Sequence, residues 1–563
     1  MVYYEGSNLL LLILLVIIAL MAFLSLSNKL QPLYPLIIFS ASLSLIYHVV
    51  LSSPSFGGDN HHEYGFSNLV FKEGIWNPSY MANQNNAVAS INILIPVLSR
   101  LCLMNISQVF KIIYPIVFSL IPVGLYLILK KQIKPEYAFL STYFFLSVRP
   151  FYNYLSEFVK QGFAMFFLML IILIFISRGR NIADRFMLIL FAFSLITSHY
   201  GVSYLFLIFI PIALAFQLLI KDYESNPLIS FILFYIVFTI AWYMYVSAGC
   251  TFESIIAMGK RIISNIYEMF NPETSDTLML LIKESPSISK IILKGLHLIT
   301  NALIILGFLI FIFEKLKRAY MQNWNLRSEY ASFAIPSIGF LGVSLFPYVT
   351  RYGMSIDRSY CVILLFLAPF CIFGFLSLLR IINKVLRIDM DAVKIFAIFM
   401  AVFLLFNTGF ITEIMGEKDV GSVAISQARI KSFGTPFEKA SLYCSYFAEE
   451  DIASAKWLSK YRATSLVSSD YYAIKVLSSY GMFVGMGSPG KNLLTPTTIK
   501  DLDTGTYVYL RKVNWRDGIM TKFIWEKEWI WKTSDITTDL NSMDMIYTNG
   551  GSVIFYNSLR EET

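Results

Sequence analysis

Carboxylate and imidazole side chains cluster in one stretch of the sequence, Ser55–Tyr64, which reads SFGGDNHHEY. Asp59 and Glu63 are four residues apart, so both carboxylates would share one face if the segment is helical. His61 and His62 add groups that titrate near neutral pH. This spacing makes the segment the first candidate for acid–base or metal chemistry.

Two chemistries suit this cluster. Asp59, assisted by Glu63 or His62, could take a proton from an acceptor hydroxyl, which is general-base catalysis. Alternatively, Asp59, His62 and Glu63 could hold a divalent cation, Mg²⁺ or Mn²⁺, that binds a phosphate. A third interpretation is a solvated polar loop in which Asp59 caps a helix and Glu63 lies on the surface. Metal dependence therefore stays open at this point.

Other polar residues stand at the ends of apolar segments, where they could converge on the same site: Glu157, Lys160, His199, Tyr200, Arg351 and Arg358. Arg358 is a candidate for binding phosphate, because a guanidinium group donates paired hydrogen bonds to phosphate oxygens. Arg351 or Lys160 could bind the same phosphate. His199, Tyr200 and Glu157 are candidates for lining the pocket. The alternative for the two arginines is snorkelling to lipid headgroups.

The composition shows which elements must position these residues. Of 563 residues, 56% are hydrophobic and only 15% are charged, whereas soluble domains carry about 25% charged residues. The chain is therefore a membrane protein. Residues 1–410 contain 28 Lys and Arg against 19 Asp and Glu. Because this basic excess lies in the apolar part, it indicates topology and does not indicate a nucleic-acid partner.

A membrane-spanning helix needs about 20 mostly apolar residues, and about twelve segments approach this: 8–26, 33–51, 112–129, 137–149, 162–177, 186–198, 201–220, 228–248, 297–313, 331–349, 360–379 and 394–411. Lys and Arg concentrate in loops that this arrangement puts on one side, which is therefore cytoplasmic. The loops 52–111, 150–161, 249–296 and 350–359 then face outward.

Two features of the outward side stand out. The loop 52–111 contains an apolar stretch, 87–104, that carries Arg100, and we interpret it as a helix lying in the membrane interface. After residue 410 the sequence changes character and predicts a soluble, extracytoplasmic α/β domain, 411–563. A helix is predicted at Glu449–Tyr461 and strands at 464–468 and 506–512, and Asn549-Gly550 between two apolar runs predicts a hairpin.

The layout resembles the GT-C-fold glycosyltransferases, polytopic enzymes that take sugar from a polyprenyl-phosphate or polyprenyl-pyrophosphate donor. It is more similar to an archaeal family of predicted multi-pass membrane proteins related to them. The motifs that carry the likeness are DNHHEY at 59–64, GIWNP at 74–78, NNA at 85–87, SHY at 198–200, DRSY at 357–360 and NGG at 549–551. The resemblance implies that Asp59 is the base or a metal ligand and that Arg358 holds the donor phosphate.

The expected fold is thus a GT-C-like membrane domain, 1–410, with an extracytoplasmic α/β domain. The expected function is a glycosyltransferase of the plasma membrane and cell envelope that moves sugar from a polyprenyl-phosphate donor to a glycan, lipid or protein acceptor. Peptide N-glycosylation is not expected, because the Trp-Trp-Asp-Tyr-Gly element of oligosaccharyltransferases is absent from 411–563. The alternatives are a transporter or flippase of lipid-linked saccharides and a non-catalytic envelope protein.

Overall fold

The structure is a computed structural model of the chain. It describes residues 9–50, 60–79, 83–154, 159–177, 181–219, 227–264, 287–316, 326–343, 355–417, 430, 432, 439, 442, 447–464, 466–483, 493–521 and 530–558. By residue contacts the chain divides into two units. The first unit comprises Met1–Val49, Pro78–Ser90 and Phe110–Glu417, and the second comprises Val50–Asn77, Ile91–Val109 and Lys418–Thr563.

The longer helices in the described part of the chain are α1 Leu9–Leu20, α2 Tyr34–Val50, α3 Asn60–Glu73, α4 Ile95–Leu101, α5 Tyr114–Leu129, α6 Pro135–Ser147, α7 Val159–Ser177, α8 Ile182–Ser198, α9 Tyr200–Leu219, α10 Pro227–Tyr245, α11 Cys250–Ser264, α12 Ile288–Leu316, α13 Ala334–Val343, α14 Ile356–Leu386, α15 Ala392–Asn407, α16 Glu449–Tyr461 and α17 Ala473–Tyr480. Short α-helical turns lie at Ile106–Gln108, Ser328–Ala331, Phe410–Ile414, Lys512–Trp515 and Thr537–Leu540. 3₁₀ turns lie at Met21–Leu26, Asn28–Leu33, Gln84–Ala87, Val246–Gly249, Thr498–Asp501 and Thr533–Ile536, and π turns at Ser90–Leu94, Val109–Ile113 and Pro150–Tyr154.

Helices occupy all twelve ranges in which the sequence predicts spanning segments. Within the described residues, seven are long and apolar enough to cross a membrane: Leu9–Leu26, Asn28–Tyr47, Ile106–Leu129, Val159–Ser177, Tyr200–Leu219, Ile288–Lys315 and Asp357–Leu386. An eighth would be the bent pair Ser230–Tyr245 and Cys250–Arg261. In the described part of the chain, the remaining predicted spans contain helices of 10 to 17 residues. A helical, multi-span membrane domain is therefore confirmed.

Contacts between loops support the predicted topology. The Lys131 ammonium donates to Ser177 Oγ at 2.8 Å, and the Arg327 backbone N–H donates to Gln132 Oε1 at 2.8 Å. The Arg327 guanidinium also donates to the backbone carbonyl of Ile176. The segment that follows α5, the end of α7 and Arg327 therefore meet at one end of the helices, on the side to which the sequence assigns these basic residues.

Helix α14 runs through the middle of the first unit, and nearly all of its apolar length is buried. Its contact with α12 depends on Gly307 and Gly374. A Cβ atom at Gly307 would lie 2.1 Å from the carbonyl oxygen of Phe370, and one at Gly374 would lie 2.0 Å from that of Leu303. Small residues allow this close backbone approach, as is usual between membrane helices. The pair fixes the position of α14 along its neighbour.

The second unit contains a four-stranded sheet in the order β1 Val467–Ser469, β2 Tyr507–Leu510, β6 Val553–Tyr556 and β5 Asp544–Thr548. β1 and β2 are parallel, and the other two neighbouring pairs are antiparallel. A separate pair is formed by β3 Ile519–Thr521 and β4 Ile530–Lys532. Apolar side chains on one face of the larger sheet pack against α16 and α17, which forms an α/β core.

The main sequence predictions for this part are confirmed. Helix α16 has the predicted bounds, 449–461, and β2 lies within the predicted strand 506–512. β1 begins later than the predicted strand 464–468 and ends one residue beyond it. The hairpin between β5 and β6 turns at Asn549-Gly550, where Gly550 adopts a φ of 84°. That left-handed conformation is the reason for glycine at this position.

By residue contacts, the second unit contains more than the C-terminal part of the chain. The second unit also takes in residues 50–77 and 91–109 of the first outer loop, so this loop is part of the α/β unit. The stretch predicted as an interfacial helix is helical at 90–101, and Ile93, Val97 and Leu101 expose their apolar side chains along it. Its position in the membrane interface stays a prediction.

A buried ion pair stabilises the second unit. Arg511 and Asp470 are almost completely buried, and their side chains are joined by hydrogen bonds of 3.1 and 2.6 Å. Asp470 also accepts from the Asn514 amide at 3.2 Å, from the Thr521 hydroxyl and from the backbone N–H of Ala473 at 3.0 Å. Every carboxylate oxygen is thus bonded, which is what a buried ion pair requires.

We expect Asp470→Asn to destabilise the second unit by roughly 3–5 kcal/mol, because it removes the carboxylate charge that is hydrogen-bonded to the buried Arg511 guanidinium. Hydrogen–deuterium exchange of the strand 507–510 in the purified full chain measures this loss. The control is Lys512→Ala, which removes an exposed ion pair with Glu450 and should change stability by no more than about 1 kcal/mol. Equal effects of the two substitutions would contradict the interpretation.

Candidate functional site

The acidic segment of the first outer loop belongs to the second unit. Asp59 itself lies outside the described residues, and helix α3 begins at the next residue, Asn60. Glu63 stands in the first turn of α3 and is fully buried, not on the surface, and His62 is partly exposed. The helical geometry that would bring Asp59 and Glu63 to one face is thus present from residue 60 onward.

Helix α3 packs against α17 through polar contacts. The Nδ1 atom of His61 lies 3.2 Å from Ser479 Oγ, and the Nδ1 atom of His62 lies 3.2 Å from Ser478 Oγ. The ring of Tyr64 packs on that of Tyr480 at 5.1 Å. The two histidines therefore hold the first outer loop to the C-terminal part of the chain. Sequence reasoning treated both as titrating groups and His62 also as an assistant of the base or a metal ligand, and it did not predict these contacts.

Metal binding is not supported by the side chains that the structure describes, since no group of three His, Cys, Asp or Glu residues among them is arranged to hold an ion. The predicted ligand set included Asp59, which is not described. The set Asp59, His62 and Glu63 therefore stays a prediction.

A second cluster lies within the first unit and contains Arg358, in the first turn of α14. The Arg358 Nε–H donates to Gln161 Oε1 at 2.8 Å, and the Gln161 amide donates back to the Arg358 backbone carbonyl at 3.0 Å. This reciprocal pair fixes the base of the guanidinium group. Its Nη2 atom lies 3.0 Å from Nε2 of His199.

His199 lies between α8 and α9 in an extended conformation and is 1% exposed. Its Nδ1 atom accepts the backbone N–H of Val202, the third residue of α9, at 3.0 Å. This is the position of a helix N-cap. The ring also stacks on that of Tyr200 at 4.9 Å. The side chain is therefore held by its cap and its aromatic neighbour.

Lys160 is the second cationic group, beside Arg358. It is 2% exposed, although it stands at the second residue of α7, and its ammonium donates to Asn85 Oδ1 at 2.7 Å. Burial and the positive charges of Arg358 and Lys160 together hold the pKa of His199 well below its ordinary value. The imidazole is therefore neutral near pH 7.

The cluster lies where three helices begin, because Lys160, His199 and Arg358 stand at the N-terminal ends of α7, α9 and α14. Helix N-termini carry partial positive charge and unpaired N–H groups, which favour anions. Three N-termini, two cationic side chains and a neutral imidazole in one cluster make a site whose electrostatics suit a phosphate.

The structure thus brings together three of the residues that the sequence predicted, Lys160, His199 and Arg358, and Tyr200 beside them. Arg351 and Glu157 lie outside the described residues. The sequence analysis missed Gln161 and Asn85 as members of the site. Their only signals were the neighbouring Lys160 and the NNA motif at 85–87.

The family assignment rests on a match over residues 184–555, well over half of the chain, to the family described as "Predicted membrane protein (DUF2206)". The chain belongs to this family. The expectation of a family of predicted membrane proteins is confirmed, and the archaeal source stays a prediction. A search of curated protein sequences gives no match for this DUF2206 member.

Solved structures similar to this DUF2206 chain include two membrane proteins. ArnT from Cupriavidus metallidurans, solved bound to undecaprenyl phosphate, is 11% identical, with 93% of this chain and 98% of that chain covered and a TM-score of 0.43. The oligosaccharyltransferase of Archaeoglobus fulgidus, in the apo form, is 12% identical. The similarity covers 99% of this chain and 75% of that chain, with a TM-score of 0.44.

We expect the thermal stability of the wild-type chain to fall more steeply than that of His199→Asn as the pH drops below about 6.5. The folded protein keeps the His199 ring neutral, whereas an unfolded chain protonates it near 6.5, so the unfolded state binds more protons at low pH. Each pH unit in this range then costs about 1.4 kcal/mol. Asparagine keeps the helix cap without titrating.

Melting temperatures of both proteins in nanodiscs between pH 8 and pH 5 measure this difference. Parallel curves for the two proteins would contradict a neutral, buried His199.

Proposed function

We propose that this protein is an integral-membrane glycosyltransferase that transfers a sugar from a polyprenyl-phosphate donor to an acceptor hydroxyl. The observation that carries the proposal is the cluster of Lys160, His199 and Arg358 at three helix N-termini. The undecaprenyl phosphate in the similar ArnT structure suggests the type of carrier to test.

The position of the cluster suits a lipid-linked donor. Lys160 and Arg358 each stand at the second residue of the membrane spans Val159–Ser177 and Asp357–Leu386. A phosphate bound there lies at the end of the membrane-spanning helices, so that a polyprenyl chain attached to it can enter the apolar region of the membrane. A soluble sugar phosphate would need no such placement.

The proposed reaction moves negative charge onto the phosphate of the donor. When the acceptor oxygen attacks the anomeric carbon, the bond from that carbon to the phosphate oxygen breaks and its electron pair moves onto the phosphate. The guanidinium of Arg358 and the ammonium of Lys160 would stabilise this developing charge from fixed positions in a low dielectric. Gln161 contributes by fixing the orientation of Arg358.

The acceptor proton needs a base, and Asp59, with Glu63 or His62, is our proposal for it on the sequence pattern. The resemblance to GT-C enzymes supports the same assignment. A divalent cation at these residues remains an alternative for binding phosphate, and no step above depends on it.

A flippase for lipid-linked saccharides is the competing membrane function, and it predicts charged residues near the bilayer midplane. The three basic groups described here stand at helix ends. Their placement favours binding at the surface of the membrane over passage through it.

We expect Arg358→Gln to lower sugar transfer roughly a hundredfold, because it removes the charge-assisted hydrogen bonds to the donor phosphate. Transfer from radiolabelled polyprenyl-phosphate-linked hexoses in isolated membranes measures this. The matched control is Arg380→Gln, an exposed arginine at the other end of the same helix, which should retain wild-type transfer. Equal transfer by both variants would remove Arg358 from the mechanism.

We expect Asp59→Asn to abolish transfer by at least about a hundredfold, the usual contribution of a general base, while the affinity for polyprenyl monophosphate stays unchanged. Binding and transfer are measured on the same membrane preparation. Full transfer by the variant would exclude Asp59 as the base. A parallel loss of binding would instead indicate a role in holding the donor.

A further inference from the structure

The contacts of His199 contain a conflict of hydrogen-bond donors. Its Nδ1 atom faces the backbone N–H of Val202 at 3.0 Å, and its Nε2 atom faces the guanidinium Nη2 of Arg358 at 3.0 Å. Both neighbours can only donate. A neutral imidazole has one acceptor nitrogen and one N–H, and a protonated imidazole has no acceptor at all. One of the two contacts therefore brings two donors together.

The position of Val202 in α9 determines which of the two contacts is a hydrogen bond. The N–H of Val202 belongs to a fully buried backbone at the start of α9 and cannot turn away, and leaving such a group without an acceptor is costly. The guanidinium group is partly exposed and has several N–H groups, which can donate in other directions. Nδ1 is therefore the acceptor, and the proton of the ring is on Nε2.

The remaining contact is then between two N–H donors, Nε2–H of His199 and Nη2–H of Arg358. Donors 3.0 Å apart cannot bond each other, but they can share a third atom, an oxygen that accepts from both. Anionic oxygens are the strongest such acceptors. The backbone of His199 cannot shift to relieve the contact easily, because its N–H and carbonyl are bonded to Leu195 and to Ser203.

We propose that His199 is a second donor to the phosphate, and that its Nε2–H and the Arg358 Nη2–H hold one phosphate oxygen together while Nδ1 caps α9. This inference rests on the proposed function, since it assigns a further contact to the same anion site. It makes His199 a binding residue, where sequence analysis placed it only in the lining of a pocket.

Two substitutions test the roles of the two ring nitrogens separately. In His199→Asn the side-chain oxygen can still cap α9, but nothing reaches the position of Nε2. In His199→Gln the amide N–H can reach that position, but the cap is lost. A purely structural His199 would therefore favour asparagine, and a phosphate-binding His199 would favour glutamine.

The experiment measures the affinity of the full-length protein in nanodiscs for a polyprenyl monophosphate. We expect His199→Asn to bind about tenfold more weakly, the effect of one lost hydrogen bond to a charged oxygen, and His199→Gln to stay within about threefold of wild type on the same scale. Wild-type affinity in His199→Asn, or an equal loss in both variants, would overturn the inference.

A second measurement holds even if the glutamine variant does not fold. ¹⁵N NMR of histidine-labelled wild-type protein should show the Nε2–H tautomer of His199, and its signal should move when polyprenyl monophosphate is added. Inorganic phosphate is the second probe. If His199 contacts only the phosphate group, inorganic phosphate should move its signal in the same direction, at a much higher concentration. An Nδ1–H tautomer, or a signal that neither probe moves, would overturn the proposal.

The same binding measurements test the proposed function separately from the role of His199. If wild type and Arg358→Gln bind the lipid phosphate equally, the proposed function fails. If wild type binds, Arg358→Gln does not, and His199→Asn binds like wild type, only the role of His199 fails.

Discussion

Positive charge concentrated at the ends of apolar helices is the constraint on which the first unit depends. Lys160 is almost fully buried and donates to Asn85, and burying a charge is costly without compensation. The positive charge of Arg358 and the N-terminal ends of three helices lie in the same neighbourhood, and helix N-termini carry partial positive charge. The phosphate that we propose as the ligand would add negative charge to this neighbourhood.

Helix packing makes this arrangement rigid. The close contact of α12 and α14 at Gly307 and Gly374 leaves no room for a Cβ atom, so α14 cannot slide along its neighbour. Arg358 stands at the start of that helix, and the reciprocal hydrogen bonds with Gln161 join it to α7. Fixed donors reorganise little when charge develops, and this is the condition for electrostatic catalysis.

The sequence predicted what depends on local pattern. The bounds of α16, the hairpin at Asn549-Gly550 and the positions of the spanning helices follow from periodicity, turn chemistry and apolar length. Lys160 and Arg358 were found because charge next to an apolar run is rare. Gln161 and Asn85 were missed, since an uncharged amide gives no such signal. The packing of α3 against α17 was also missed, because it joins segments some four hundred residues apart.

A comparison of the two buried charged networks separates structure from binding. In the second unit the donors of Arg511, Asn514 and Thr521 all meet the carboxylate of Asp470, so that network is complete by itself. At His199 one donor faces each ring nitrogen, and a neutral ring can accept at only one of them. Burial alone does not distinguish the two sites. The balance of donors and acceptors differs between them, and this difference is the reason why we propose a ligand at the cluster in the first unit.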